Sequence, residues 1–354
     1  MKMVRYNLLI LLSVVLFSCS KENAVSQPAN PLPIRAVDAS FIPAIRLSAI
    51  VTKNANGAAE DMLTTLKNAG VNTIRLRIWK KPVDDHSGFD EVAAFSKEIK
   101  AMGMKVWLTV HYSDWWADPG KQTKPAEWQN LSFALLKDSV YAYTKKITNE
   151  INPDYIQIGN EINNGMLWPD GSFNNISQLT QLLEQGIKAV RDNSATSKIM
   201  IHYAGHQDAV SFFNKFPTLD YDIIGLSYYP NWHGKNLDSL QTNLNLIANT
   251  FNKDVVIAET SYPFTFDWND NTGNVIGTAQ QILPAYPPTP QGQLDFLNKI
   301  RDIVTGTKRG IGFCYWGAEW IAFKGKNATD GSSWENQALW DFDNKALPAM
   351  QAFK

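Results

Sequence analysis

Eight short β-rich runs alternating with amphipathic helical stretches predict an α/β fold, a single (β/α)8 TIM barrel. Two further observations point the same way. Residues 34–354 run on without a break in composition, a length that one such barrel fills. The residues just past each β-rich run are polar and aromatic, and the carboxyl ends of barrel strands are where such folds carry their chemistry.

The runs lie at 35–39, 73–78, 105–110, 155–158, 198–202, 223–227, 254–258 and 311–315. Helical spacing links them. Met62, Leu63, Leu66 and Ala69 make one apolar stripe and Val92, Phe95, Ile99 and Met102 a second. Leu179, Leu182, Leu183, Gly186 and Val190 make a third, and Leu294, Leu297 and Ile300 begin the stripe before the last run. Gly70 and Gly103 directly follow the first two stripes, where a left-handed helix end favours glycine. No sequence repeat is visible, so the eightfold reading rests on counting elements.

Ahead of the barrel, Lys2 and Arg5 precede the apolar run 8–17, which reads as an export signal over 1–18, too short for a membrane span. Leu16-Phe-Ser-Cys19 resembles a bacterial lipoprotein cleavage box, with Cys19 as the lipidated anchor; an ordinary cleaved signal is the other reading. Residues 19–33, with Pro28, Pro31 and Pro33, form a flexible tether, and 34–354 the catalytic domain. Ser20-Lys-Glu22 resembles the acidic export tags of surface lipoproteins. The expected location is therefore the outer membrane and the cell surface, with membrane contact only through the lipid. Cys314 lies in an apolar run and reads as a small buried hydrophobe, which leaves no internal disulfide.

A net charge of −1 with no basic run excludes nucleic acid as a partner, and a monomer is expected. The 12 Trp, 12 Tyr and 17 Phe are more informative, because many sit beside Gly, Pro and Asp in loop-like segments. Exposed aromatic rings suit the faces of sugars; the bland reading is that each is core.

Asp154-Tyr-Ile-Gln-Ile-Gly-Asn-Glu161 ends the fourth run in a carboxylate, and Val255-Val-Ile-Ala-Glu259 ends the seventh in another. Around them the other runs end in Arg75, Arg77 and Trp79, in His111, Asp114, Trp115 and Trp116, in His202, in Ser227-Tyr-Tyr-Pro-Asn-Trp-His233 and in Trp316. With no cofactor fingerprint and no compact metal-ligand spacing, two facing carboxyl groups point to glycosidic bond cleavage. One must be protonated and one ionised, and an arginine beside the second would keep it charged. Arg75 and Arg77 share a face, and Arg77, nearer the strand end, is the expected partner. A separation of about 5 Å would retain anomeric configuration, and about 7 Å or more would invert it. Each residue has a plainer reading: Glu259 as a helix cap, His111 and His202 as satisfied core histidines, and Asp114 and Asp118 as partners of Lys121 or Lys124.

The connection 263–290 is far longer than a usual strand-to-helix loop. Its segment Asp267-Trp-Asn-Asp-Asn-Thr-Gly-Asn274 gathers oxygen ligands, with Asp267, Asp270 and Asn271 as candidates for a structural Ca²⁺. The other reading is a turn rich in Asp, Asn and Gly.

Gly70-Val-Asn-Thr-Ile-Arg-Leu-Arg-Ile-Trp79, His111-Tyr-Ser-Asp-Trp-Trp-Ala-Asp-Pro-Gly120, Gln157-Ile-Gly-Asn-Glu-Ile-Asn-Asn-Gly-Met-Leu-Trp-Pro169, Gly225-Leu-Ser-Tyr-Tyr-Pro230 and Trp232-His-Gly234 resemble glycoside hydrolase family 53, the endo-β-1,4-galactanases. The resemblance runs from about Ala36 to the C-terminus with order and spacing kept. It implies a clan A retaining mechanism on the β-1,4-galactan side chains of pectin, with no cofactor needed for the chemistry and, in some members, calcium near the long loop. Glu161 carries over as acid/base, Glu259 as nucleophile and Asn160 as the ligand of the sugar 2-hydroxyl. Trp316 matches the aromatic floor, and Asp38, His111, Asp114, Trp116 and Tyr228 fall in motifs lining the groove. His202 is a further groove candidate, and Trp116 and Trp232 would floor a groove curved to suit galactan. Two alternatives are another clan A endo-glycanase, acting on mannan or glucan, and a non-catalytic glycan-binding surface lipoprotein.

Overall fold

The computed structural model describes residues 31–354, so the signal segment, Cys19 and most of the tether lie outside the described residues. Strands β1 (Ile34–Asp38), β2 (Thr73–Ile78), β3 (Lys105–Val110), β4 (Tyr155–Ile158), β5 (Lys198–Ala204), β6 (Ile223–Ser227), β7 (Asp254–Thr260) and β8 (Gly310–Tyr315) close in sequence order into one parallel barrel. Every run read from the sequence is a strand. β5 and β7 reach two residues further than the runs, through Tyr203-Ala204 and Glu259-Thr260.

Two separate cores result from the alternation of side chains. Ile34, Ala36, Trp107, Met200, Ile223, Val256, Ala258 and Cys314 fill the inside of the barrel. The opposite faces, including Val37, Ile74, Leu108, Ile156, Leu226 and Ile257, pack against the surrounding helices. Leu32 is buried in that outer core, and the compact unit runs from Leu32 to Lys354.

Helices form where stripes and caps agree. Asp61 accepts from the Leu63 and Thr64 N–H groups ahead of Met62–Asn68, Ser132 caps Phe133–Glu150, and Thr289 caps Pro290–Thr305. Gly70 and Gly103 take φ of 101° and 78° just past their helices, the left-handed ending expected of them. Cys314 is buried and unpaired as a thiol. Among the described residues no helix is long and apolar enough to cross a membrane.

Candidate active site

All eight strands run the same way, so their carboxyl ends share one rim, and a cavity of about 530 Å³ opens there. Alternation decides which side chains reach it. Ala36, Trp107, Met200 and Ile223 point inward, and residues of the same parity further along, Asp38, His111, His202 and Ser227, point inward too. Arg75 and Arg77 follow the same rule on β2 and line the cavity.

The two carboxylates arrive by departures from regular strand geometry. At the end of β4 the chain passes through Gly159 at φ 80° and Glu161 at φ 46°, which turns both Asn160 and Glu161 into the cavity. A Cβ at Gly159 would stand 2.6 Å from Ile162 Cγ2, so glycine is required twice over, for its φ and for the close approach. On β7, Val256 and Ala258 face inward, and strict alternation would send Glu259 out toward the helices. Register shifts between β6 and β7 at Leu226/Ser227 and between β7 and β8 at Ile257/Thr260 absorb one residue. Glu259 therefore joins Ala258 on the inner side.

Oxygens of Glu161 and Glu259, together with a ring nitrogen of His202, lie within 4.8 Å of one another. That spacing belongs to a retaining pair, whose carboxyl groups stand about 5 Å apart. The neighbours of the two differ. Glu259 Oε1 accepts from Arg75 Nη2 at 2.7 Å and Oε2 from the Tyr229 hydroxyl at 3.0 Å. Among the described residues the Glu161 carboxyl accepts only from Ser227 Oγ, at 2.5 Å on Oε1. Burial pushes the Glu161 carboxyl up to about 8, aided by the charge of Glu259 and resisted by Ser227 and Arg75. Burial raises Glu259 as well, but the Arg75 cation and the Tyr229 hydroxyl oppose the shift, so Glu259 loses its proton first.

Arg75, not Arg77, is the partner of Glu259, which corrects the expectation from strand position. It bridges Glu259 to Asp38 Oδ2 at 3.0 Å and also reaches Asn160 Oδ1 at 3.0 Å. Arg77 sits one step further out, stacked over Phe41 at 4.1 Å and Trp116 at 4.4 Å, with none of its guanidinium nitrogens hydrogen-bonded. Burial lowers its pKa to about 10.

Other expected residues divide. Asp38, His111, Trp116, Asn160, Trp232 and Trp316 line the cavity. His111 Nδ1 accepts from Trp79 Nε1 and from the Ala117 N–H, which leaves the ring proton on Nε2. Burial and the two arginines hold that ring neutral. Asp114 does not reach the cavity; its carboxylate accepts from the Lys81 and Ala126 N–H groups and pins two loops together. Tyr228 is buried behind the rim, with its hydroxyl on the Gly234 carbonyl, because it has the outward parity between Ser227 and Tyr229. His202 lies behind Glu161 rather than in the wall, its Nε2 2.9 Å from Ser227 Oγ. Both of its ring nitrogens and both Glu259 oxygens are taken by hydrogen-bond partners, so this trio is not arranged to hold a metal.

Asp270, a candidate calcium ligand, accepts from the Thr272 N–H on Oδ1 and the Ser332 N–H on Oδ2. Asn271 donates its N–H to the Ala328 carbonyl, and Asp267 accepts from the Thr265 hydroxyl. Both Asp270 oxygens thus accept from backbone donors, which clips this segment to residues 328–332.

Tyr229, Asp118, His233 and Trp334 line the cavity without having been singled out as site residues. Parity marks Tyr229, two residues after Ser227. Trp334 lies in the irregular segment after β8, where it packs edge-on to Trp316 at 4.7 Å and stacks with Trp232 at 6.1 Å. The recurrence of tryptophan at 316, 320 and 334 was the available signal.

The sequence profile of glycosyl hydrolase family 53 matches residues 34–353. An endo-β-1,4-galactanase of Bacillus subtilis (strain 168) is 34% identical over 371 residues, covering 91% of this chain and 85% of that protein. An arabinogalactan endo-β-1,4-galactanase of Thermothelomyces thermophilus is 33% identical over 344 residues, covering 91% and 99%. Among solved structures, the GH53 catalytic domain of Ignisphaera aggregans superposes with a TM-score of 0.86 at 38% identity, covering 92% of this chain and 98% of that one. With that profile matched along the whole barrel and these relatives spanning nearly its full length, the chain belongs to glycosyl hydrolase family 53.

Proposed function

We propose that this chain is an endo-acting, retaining β-1,4-galactanase in which Glu161 is the general acid/base and Glu259 the nucleophile. The single observation that carries the mechanism is the pair of carboxyl groups within 4.8 Å of each other in opposite electrostatic settings. Glu259, held charged by Arg75, attacks the anomeric carbon while Glu161 delivers its proton to the departing glycosidic oxygen. A glycosyl ester forms on Glu259. Glu161, now ionised, then takes a proton from water, which attacks the same carbon and frees the sugar with its original configuration.

Asn160, fixed by Arg75 and by its own Nδ2 on the Ala117 carbonyl at 2.8 Å, stands beside both carboxyl groups, where a 2-hydroxyl would sit. Trp316, Trp116, Trp334 and Trp232 supply flat apolar faces for successive rings, with Trp232 49% exposed at the outer end. The curvature of a β-1,4-galactan follows from its axial 4-hydroxyl, and endo action on internal links requires that such a chain run through the cavity mouth in both directions. The substrates named for the relatives favour galactan over mannan or glucan, and reducing-end release on a polysaccharide panel separates them. A non-catalytic glycan binder has no need of two carboxylates in these settings.

Glu161→Gln and Glu259→Gln are each expected to lower kcat/KM on galactan by roughly a thousandfold or more while galactan still binds. Near-wild-type turnover in either variant defeats that residue's role. Because the acid must hold its proton, activity should fall on the alkaline side as pH passes about 8. Export and lipid anchoring through Cys19 suit a polymer too large to cross a membrane, and loss of the protein from the membrane fraction on Cys19→Ser is the test.

A further inference from the structure

Behind Glu161 runs a line of buried polar groups that the mechanism above does not use. Gln157 Nε2 lies 2.9 Å from His202 Nδ1, His202 Nε2 lies 2.9 Å from Ser227 Oγ, and Ser227 Oγ lies 2.5 Å from Glu161 Oε1. All three residues are fully buried, on β4, β5 and the end of β6, and none forms part of the cavity wall. Three adjacent strands thus converge on one oxygen of one carboxyl group.

The line has a direction. An amide nitrogen can only donate, and Gln157 Nε2, its amide oriented by Thr109 Oγ1 on the oxygen at 3.2 Å, shares two hydrogens among Gly159 O at 3.1 Å, Asn160 Oδ1 at 3.0 Å and His202 Nδ1 at 2.9 Å. A protonated Nδ1 would set two donors against each other at the shortest of these contacts, so Nδ1 accepts. Asn160 Oδ1, 3.1 Å from the same ring nitrogen, is already served by Arg75 Nη2 and by Gln157 Nε2, each at 3.0 Å, and does not need the ring as a donor. His202 then carries its proton on Nε2 and donates to Ser227 Oγ. The hydroxyl hydrogen is left for Glu161 Oε1.

We propose that Gln157, His202 and Ser227 form a one-way donor relay that occupies Glu161 Oε1 and so confines the transferable proton to Oε2, the oxygen left free in the cavity. A carboxylic acid carries one proton on either oxygen. If it sat on Oε1 it would point back into Ser227, and the acid would have to rotate or exchange its proton before reacting. With Oε1 filled by a donor, the only stable acid is the one aimed at the glycosidic bond. His202 stays neutral throughout, because burial and the facing charges of Arg75, with His111 and His233 beyond, disfavour a second ring proton. The groups facing Glu161 itself are Glu259, Arg75 and Asp118, none of which reaches Oε1. These are positioning residues: none touches the bond that breaks.

The relay rests on the reading of Glu161 as general acid, and the test separates the two. kcat/KM is measured on galactan, whose leaving sugar needs a proton, and on a dinitrophenyl β-galactobioside, whose leaving group does not. Both are followed across pH, with folding checked by thermal melting. Ser227→Ala is expected to lose about tenfold on galactan and no more than about threefold on the aryl substrate. Its alkaline limb should move to higher pH, because Ser227 stabilises the ionised form. Ser227→Thr, which keeps the hydroxyl, should restore both. Should Ser227→Ala melt before assay, Ser227→Cys, nearly isosteric and a weak donor, is read by the same criteria. Equal losses on the two substrates, or an unmoved alkaline limb, overturn the relay. Glu161→Gln is the control: it must itself spare the aryl substrate, and if it does not, the general-acid assignment fails before the relay is reached.

Discussion

Glu161 and Glu259 have the same side chain and differ only in what touches them. One guanidinium and one phenol hold Glu259 ready to ionise, while burial, opposed on the Glu161 side by a hydroxyl at Ser227, pushes the Glu161 carboxyl up to about 8. The arginine that makes the difference is set by depth in the barrel. Arg75 is the register partner of Asp38 and lies level with the carboxylates, whereas Arg77, on the same face, rises past them into the ring of Phe41, Trp79 and Trp116. Arg75→Met leaves Asp38 and Glu259 as unpaired buried anions and is expected to cost about 3–5 kcal/mol of stability. Arg77→Met loses stacking of about 0.5–2 kcal/mol but also removes a buried cation without hydrogen bonds, so its melting temperature should stay within a few degrees of wild type. Thermal melts of the two variants decide it, and equal damage from both contradicts the assignment of Arg75. From sequence, the pair at 75 and 77 was visible as inward-facing, but alternation is blind to depth.

Among the elements, the exits of β4 and β7 carry the site. β4 ends after only four residues because Gly159 breaks the extended path, and its positive φ swings Asn160 and Glu161 inward together. Gly159→Ala would combine a left-handed alanine with a Cβ 2.6 Å from Ile162 Cγ2, a combination expected to cost about 1–3 kcal/mol. Relaxing that contact displaces Asn160 and Glu161, so kcat should fall by at least about tenfold, beyond what the loss of stability explains. Steady-state kinetics well below the melting temperature measure it, and a stable Gly159→Ala with unchanged kcat would show that the turn does not set the geometry. On β7 the irregular register does the equivalent work for Glu259. The apolar run 254–258 was readable as a strand, but nothing in its residue types announces an extra residue in the ladder.

At the scale of the molecule, closing the barrel buries acids that an unfolded chain leaves in water. Glu319, past β8, is fully buried, with Oε1 accepting from the Phe41 N–H at 2.8 Å and Oε2 unpartnered. Burial first, and then the charge of Asp38, pushes its carboxyl up to about 8 from an ordinary 4.5. The folded state therefore binds this proton more tightly than the unfolded one. The resulting stabilisation is complete below about 4.5 and is lost as pH rises through about 8, a sense that Glu161 shares. Wild-type melting temperature should decline over that window, and Glu319→Gln should remove Glu319's share and flatten the decline. Melts recorded against pH provide the check; an identical slope in the variant would mean that Glu319 is already ionised in the fold.

Residue order alone determined the eight strands, the helical faces between them, the rim on which chemistry collects and the identity of the two carboxylates. Those features are local: hydrophobic periodicity depends on near neighbours, and a parallel barrel sends every strand end to one side. Only the closed structure decided that Arg75 rather than Arg77 meets Glu259, and that Tyr229 rather than Tyr228 lines the cavity. It also made Asp114 a loop clip and placed His202 behind Glu161. Each of these depends on depth within the barrel, on a shift of register or on contact between distant strands, quantities that arise when the sheet closes and have no counterpart in the spacing of residues along the chain.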